Sequence, residues 1–202
     1  FAKEFAAKGG TVLGREKTGD KDSDFNALVT KIKSLNPAVV YYGGIYNSGA
    51  LLSKQLSDAG VPAPLMGGDG MYDGEYVKLA GDAAAEGDFC TSVGYPIAQL
   101  PKGADFKSAF EAAYPGEEIA AYDAYSYDAA NVIIEAVKKV AADLGAAKVT
   151  TPEGKKAVIA AVAATDMEGV TGAVAFDAHG DTTNKVITLY TVKDGAWTPY
   201  VK

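Results

Sequence analysis

The stretch Pro37-Ala-Val-Val-Tyr-Tyr-Gly-Gly-Ile-Tyr-Asn-Ser-Gly49 decides the fold of this chain. A short, continuously apolar run after a proline is typical of a strand buried on both faces of a parallel sheet, and Gly43-Gly44 ends it. The pattern then favours a helix on residues 51–59, followed by a second strand. This βαβ alternation predicts a doubly wound α/β sheet with parallel strands centred near Val39–Tyr42 and Pro64–Met66.

Two helices are predicted on the amino-terminal side of this stretch. Phe1 and Phe5 lie on one helical face, and Gly9-Gly10 end that helix. We expect Asp22-Ser23 to cap a second helix that ends at Asn36. Its apolar residues recur at the helical period and are Phe25, Leu28, Val29, Ile32 and Leu35. Since no capping residue precedes Phe1, we also expect the native chain to begin earlier.

After Val93 the pattern changes to three helices in a row, which indicates a different layer. The first contains Phe106 and Phe110, and the third begins with a Thr151 cap followed by proline. The second helix runs from Tyr122 to Leu144. Its predicted inward face comprises Tyr125, Ala129, Val132, Ile133, Ala136, Val137 and Val140. The last stretch, from Gly172 to Tyr200, alternates apolar and polar residues, so we expect antiparallel or edge strands there.

This change of pattern predicts that the chain forms two structural parts and crosses from one to the other twice. The first crossing is expected near residues 93–96 and the return near residues 182–185. Since no low-complexity linker separates the parts, both crossings are expected to be short.

Composition excludes several classes of function. The chain has 202 residues, a net charge of −7 and no cluster of Lys and Arg, so nucleic acid is not an expected partner. No apolar run reaches the roughly 18 residues that a membrane helix needs. The single cysteine, Cys90, excludes an internal disulfide and is expected to be a buried small hydrophobe. The single histidine, His179, lies in a turn-forming segment without a nucleophile or second ligand at motif spacing.

Four stretches together resemble a known family. They are Tyr41-Tyr-Gly-Gly-Ile-Tyr-Asn-Ser-Gly49, Leu65-Met-Gly-Gly-Asp-Gly70, Tyr125-Ser-Tyr-Asp-Ala129, and Gly169-Val-Thr-Gly172 with Val174-Ala-Phe-Asp177. In this order they resemble the leucine/isoleucine/valine-type receptors of the type I periplasmic binding fold, which supply ABC transporters.

The resemblance implies an α/β fold of two doubly wound parallel lobes with the ligand held between them, here incomplete. On that map, residues 1–93 are most of the second lobe without its first strand, 94–183 are the returning part of the first lobe, and 184–202 are the final strands of the second. It further implies an amino-terminal half absent from this chain, an ABC transporter permease as partner, and an extracytoplasmic location, in the periplasm or as an anchored lipoprotein. No cofactor is implied.

The resemblance also implies ligand residues. Asp69 matches the acidic residue that pairs with the ligand's ammonium group in the family, and it lies where parallel strands end, the usual ligand edge of such sheets. Alternatively, Asp69 stabilises a turn. Tyr46 matches an aromatic ligand contact, but Ile45 stands where family members commonly have another tyrosine. Tyr122 matches an aromatic residue that contributes from the first lobe. The default ligand is a branched-chain amino acid, with other amino acids, amides and small aromatic acids as alternatives.

Two other functions compete with transport. A hydrolase or a divalent-ion loop could use the neighbouring acids Asp69, Asp73 and Glu75, but their spacing is not that of an EF-type loop. A ligand-sensing domain of the same fold in a signalling receptor is the other alternative. The sequence therefore predicts a binding protein and not an enzyme.

Overall fold

The computed structural model describes residues 1–19 and 21–201, so Asp20 and Lys202 lie outside the described residues. The chain divides into two compact units. Unit 1 comprises residues 1–92 and 189–202, and unit 2 comprises residues 93–188. The first division lies between residues 92 and 93, next to the crossing expected near residues 93–96, and the second lies between residues 188 and 189, later than the return expected near residues 182–185. That these units correspond to the two lobes of the family remains a prediction.

Unit 1 is a sheet with helices packed on it. Its helices are α1 (Ala2–Ala7), α2 (Asn26–Leu35), α3 (Tyr46–Asp58), α4 (Gly74–Ala80) and α5 (Asp82–Ala85). Its strands are β1 (Val40–Tyr42), β2 (Leu65–Gly67), β3 (Phe89–Val93), β6 (Ile187–Lys193) and β7 (Ala196–Pro199). The strand order is β1-β2-β3-β6-β7.

The first three strands of this sheet are parallel, and the sequence predicted the parallel pairing of the first two. Val40 pairs with Leu65 in β1 and β2, and Gly67 pairs with Cys90 in β2 and β3. The carboxyl ends of these strands therefore meet at one edge, where the loops that follow them collect. The hairpin of β6 and β7 is antiparallel and turns at Asp194-Gly195, which confirms the antiparallel pairing expected near the end of the chain.

The core of unit 1 is closed by α3, α4 and the hairpin. Leu52, Leu65 and Met71 are fully buried in it. Aromatic rings complete the packing, with Tyr72 lying 4.1 Å from Tyr190 and Tyr76 lying 5.1 Å from Trp197 between ring centroids. Burying this much apolar surface provides most of the stability of the sheet.

Two expectations about unit 1 were wrong. Asp22-Ser23 does not cap α2; the helix begins after Phe25, whose backbone N–H donates to the Gln55 side chain at 2.7 Å. Strand β1 is not buried on both faces either. It is the sheet edge, and Tyr41 remains 39% exposed although the ring of Phe1 stacks on it at 3.8 Å.

Unit 2 consists mainly of helices and one small hairpin. Its helices are α6 (Gly103–Ala113), α7 (Asp123–Leu144) and α8 (Pro152–Ala163), and the hairpin pairs β4 (Asp166–Gly169) with β5 (Gly172–Ala175). The predicted Thr151 cap of α8 is confirmed, since its hydroxyl accepts from the Gly154 N–H at 3.1 Å.

The inward face of α7 is narrower than predicted. Val132, Ala136 and Val140 are buried as expected, but Ala129 and Ile133 are exposed, Ile133 at 54%. The buried residues recur every four positions from Ala124 and include Asp128. None of the described helices is long and apolar enough to cross a membrane.

Candidate functional site

The loop between β1 and α3 brings Ile45 to the carboxyl edge of the sheet. Ile45 has extended backbone angles and stands at the N-cap of α3, with 54% of its surface exposed. The following residue, Tyr46, is half-buried against the core of unit 1. The loop therefore presents an aliphatic side chain, while its tyrosine is largely used for packing.

Hydrogen bonds and a ring hold this loop in place. The hydroxyl of Tyr42 lies 2.8 Å from the Ser48 hydroxyl, and the Ser48 hydroxyl donates to the Ile45 carbonyl oxygen at 3.4 Å. Gly44 lies directly on the Tyr42 ring, since a methyl group placed on Gly44 would collide with that ring. The backbone on both sides of the Gly44–Ile45 peptide is thus held in place by contacts with Tyr42 and Ser48.

The second loop follows β2 and contains Asp69. Asp69 opens a 3₁₀ turn, Asp69–Met71, and its side chain is exposed at the edge of the sheet. The turn is anchored by fully buried Met71 and by the Tyr72 N–H, which donates to the Asp69 carbonyl oxygen at 2.9 Å. Asp69 thus occupies the predicted position at the end of a parallel strand.

The other acids near this loop have structural partners. Asp73 is the N-cap of α4 and accepts from the Glu75 N–H at 2.8 Å, and its carbonyl oxygen accepts from Trp197 Nε1 at 3.0 Å. Glu75 forms an ion pair with Lys78 at 2.7 Å. Both acids therefore stabilise the start of α4, which disfavours their use with Asp69 as a hydrolytic pair.

The two loops touch at Gly70. A methyl group placed on Gly70 would lie 3.0 Å from Cγ2 of Ile45 and 3.2 Å from the Gly44 carbonyl oxygen. The structure therefore brings three of the four predicted ligand residues, Ile45, Tyr46 and Asp69, to one edge of unit 1. The fourth, Tyr122, belongs to unit 2, where it is the N-cap of α7 and 40% exposed.

The charge at this edge of unit 1 is negative. Neither the loop at residues 43–48 nor the loop at residues 67–73 contains Lys or Arg, whereas the second loop carries Asp69 and Asp73. The charge of Asp69 also reaches Cys90 on β3: burial raises the pKa of that thiol well above its ordinary value, and the negative charge of Asp69 adds to the shift. Cys90 is therefore a buried neutral thiol, as predicted, and the edge is suited to a cationic group.

Comparison with known proteins gives this arrangement a family. The family model described as periplasmic binding protein matches residues 1–196. This chain belongs to the periplasmic binding protein family. The match runs through both units and includes the two loops at the carboxyl edge of unit 1.

Relatives of this periplasmic binding protein are found among curated protein sequences and among solved structures. The leucine-, isoleucine-, valine-, threonine-, and alanine-binding protein of Pseudomonas aeruginosa is 33% identical over 84% of this chain and 42% of its own length. The leucine binding protein LivK of Thermotoga maritima superposes with a TM-score of 0.84 at 27% identity, over 100% of this chain and 54% of that structure. The chain thus spans about half the length of these relatives.

A third relative has a ligand in its structure. It is the branched-chain amino acid transporter substrate binding protein LivJ of Streptococcus pneumoniae, solved with isoleucine. Its TM-score is 0.78 at 26% identity, over 98% of this chain and 56% of that structure. Together these structures confirm the type I periplasmic binding fold that the sequence motifs predicted.

Sequence reasoning missed two buried carboxylates in this periplasmic binding protein. Asp88 in unit 1 accepts from the Ser53 hydroxyl, the Tyr76 hydroxyl and the Leu65 N–H at 2.5–2.6 Å. Asp128 in unit 2 accepts from the N–H groups of Val170 and Thr171 and from the Thr171 hydroxyl at 2.7–2.9 Å. Asp128 had a signal in the sequence, because it lies on the four-residue stripe of α7 that is otherwise apolar.

Unit 2 also has a cavity of its own. It measures about 590 Å³ and lies between α6, the first turns of α7 and Val170, with walls that include Phe106, Phe110 and Tyr127. None of the four predicted ligand residues lines it. The cavity is therefore separate from the predicted ligand contacts.

Proposed function

We propose that this protein is an extracytoplasmic solute-binding protein that captures a small amino acid, by default a branched-chain one, and delivers it to an ABC transporter. Membership of the periplasmic binding protein family supports this, and so do relatives whose names specify leucine, isoleucine and valine. The LivJ relative is a transporter substrate binding protein by name, which favours transport over the sensing alternative. The ABC transporter permease is the proposed protein partner.

One observation in the structure carries the ligand class. An exposed carboxylate, Asp69, and an exposed aliphatic side chain, Ile45, lie on adjoining loops that contain no basic residue. Such a pair suits the ammonium group and the apolar side chain of one small ligand. In this proposal Asp69 pairs with the ammonium, and Ile45 and Tyr46 contact the ligand's side chain.

The same arrangement argues for binding without chemistry. Asp69 is the acid proposed to contact ligand, since Asp73 caps α4 and Glu75 pairs with Lys78. The single histidine, His179, is exposed in a turn, where its backbone N–H donates to the Asp177 carboxylate at 2.9 Å. We therefore propose that the protein is not an enzyme. Its family and its transporter relatives support the further proposal that it acts outside the cytoplasm.

A thermal-shift screen of the natural full-length protein against the common L-amino acids tests this proposal. A ligand that binds only the native state raises the free energy of unfolding, by about 3 kcal/mol at a hundredfold excess over Kd. We expect leucine, isoleucine or valine to give the largest shift. No shift with any amino acid would contradict the proposed function.

The role of Asp69 is tested on the amino acid that gives the largest shift. Replacing Asp69 with Asn removes the charge but keeps the shape, and it should weaken binding by about 30-fold or more, or about 2 kcal/mol. Calorimetric titration measures the affinity, with Asp58→Asn on the exposed end of α3 as the matched control. An affinity within about threefold of the wild type would reject the role of Asp69, because an ammonium that loses its partner should lose more.

A further inference from the structure

The contact between Gly70 and Ile45 has a consequence for ligand choice. We propose that Gly70 is a specificity-determining residue: the absence of its side chain fixes where the Ile45 side chain lies, and so sets the space open to the ligand's side chain. This inference rests on the proposed function. Gly70 would act through Ile45 and not by touching the ligand, so it is a positioning residue.

The Gly44 side of the contact is held by neighbouring side chains. Gly44 lies on the Tyr42 ring, and the hydroxyl of Tyr42 is held 2.8 Å from Ser48. The Ile45 carbonyl oxygen accepts from the same Ser48 hydroxyl, which is buried in the first turn of α3. A group added at Gly70 would therefore press on a backbone that is held by its contacts with Tyr42 and Ser48.

The Gly70 side is equally restrained. Its neighbour Met71 is fully buried, and the Met71 N–H donates to the Gly68 carbonyl oxygen at 3.1 Å. The loop is tied again at Asp73, which accepts from Trp197. Because protein interiors are close-packed, a turn fixed by a buried side chain on one side has little room to retreat.

The Ile45 side chain is the part that can give. It is more than half exposed, and its Cγ2 would lie 3.0 Å from a methyl group on Gly70, closer than ordinary van der Waals contact. Rotation about χ1 to the one staggered position that turns the Cβ hydrogen of Ile45 towards Gly70 relieves that contact. The rotated side chain would then occupy different space at this edge of the sheet, which changes the room for a branched ligand more than for a small one.

The same loop offers a matched control. Gly68 flanks Asp69 on the other side, and a methyl group placed there would meet no atom within 4 Å. Its backbone angles are φ −83° and ψ −166°, which alanine adopts without strain. Gly68→Ala and Gly70→Ala therefore add the same group on either side of Asp69, and only the second contacts Ile45.

The first test is independent of ligand. In the natural full-length protein with isoleucine methyl groups labelled for NMR, Gly70→Ala should shift the Ile45 methyl resonances, and Gly68→Ala should leave them nearly unchanged. Ile45 resonances that stay unchanged in a folded Gly70→Ala protein would overturn the proposal, whatever the ligand is.

The second test measures selectivity. We expect Gly70→Ala to lower the affinity for leucine relative to alanine by about tenfold, the usual effect of one or two methyl groups in an apolar site, and Gly68→Ala to leave the ratio within about threefold. In the double variant with Ile45→Ala and Gly70→Ala, we expect the effects of the two changes on this affinity ratio to be non-additive. An unchanged ratio in Gly70→Ala, or strictly additive effects, would overturn this inference alone, whereas a wild type that binds no amino acid would contradict the proposed function as well.

Discussion

Among the residues that the structure describes, each unit contains one buried carboxylate that accepts three hydrogen bonds, but the two carboxylates connect very different parts of the chain. Asp88 and Asp128 are each 3% exposed. The three donors of Asp88 come from α3, β2 and α4, far apart in sequence. The three donors of Asp128 come from two consecutive residues, Val170 and Thr171, at the tip of the β4–β5 hairpin.

The difference shows that a buried, hydrogen-bonded carboxylate can stabilise a whole sheet or a single turn. In unit 1 the carboxylate of Asp88 joins elements that must all be in place before its donors meet. In unit 2 the carboxylate of Asp128 fixes one hairpin tip on α7, and Gly169 leaves the space it occupies, since a side chain there would collide with it. Loss of Asp88 should therefore weaken all of unit 1, and loss of Asp128 should loosen one hairpin.

The largest effect is expected for Asp88→Ala. The change leaves two hydroxyls and one backbone N–H buried without their acceptor, and each such group costs about 1–3 kcal/mol. Since the Ser53 hydroxyl also reaches the Ala84 carbonyl oxygen at 3.1 Å, we expect the total near the lower end, about 4 kcal/mol. Urea unfolding measures it, and exposed Asp58→Ala is the control, expected within about 0.5 kcal/mol of the wild type. A loss of less than about 1 kcal/mol in the free energy of unfolding for Asp88→Ala would show that Asp88 does not stabilise unit 1 as a whole.

A smaller and more local effect is expected for Asp128→Ala. The hairpin tip can turn towards water and regain part of its hydrogen bonding, so we expect a loss of about 2 kcal/mol. Hydrogen exchange distinguishes it from Asp88→Ala, because amides of Asp166–Ala175 should exchange faster while those of β1–β3 keep their protection. Equal loss of protection in both units would show that Asp128 is not a local anchor.

The smallest effect is a pH dependence of Asp88. Burial raises the pKa of Asp88 above its ordinary value of 3.8, although its three hydrogen bonds oppose the shift. Because the native state keeps this proton after the unfolded state has lost it, Asp88 contributes less stability as the pH rises from 3.8 to its native pKa. The free energy of unfolding of the wild type minus that of Asp88→Asn should fall over that interval and then level off. A difference that rises with pH would contradict the direction of the shift.

The parallel sheet was predictable because its signals are local. A continuous apolar run between Pro37 and Gly43 fixes a strand, and the helical period of residues 51–59 fixes the crossover to the next one. The position of Asp69 follows from the same reasoning, since it comes directly after the second strand. The Thr151 cap is local as well, and it was predicted for the same reason.

The failures came from contacts distant in sequence. The cap of α2 was misplaced because Gln55 accepts from the Phe25 N–H and donates to the Ser23 carbonyl oxygen, which no local pattern reveals. The burial of Tyr41 was overestimated because a strand's place at the edge depends on the order of the whole sheet. The contact of Gly70 with Ile45 could not be predicted either, since two glycine-rich loops carry no signal of which glycines touch.

The most direct test of whether Asp69 binds the ligand's ammonium group compares two compounds. One is the amino acid that stabilises the protein most, and the other is the same molecule without its amino group. Calorimetric titration of both compounds into the wild type and into Asp69→Asn measures how strongly the carboxylate and the ammonium are coupled. We predict that the wild type prefers the amino acid by at least about 30-fold, and that Asp69→Asn loses most of this preference. An equal preference in both proteins would show that Asp69 does not bind the ammonium group, and it would contradict the proposed site.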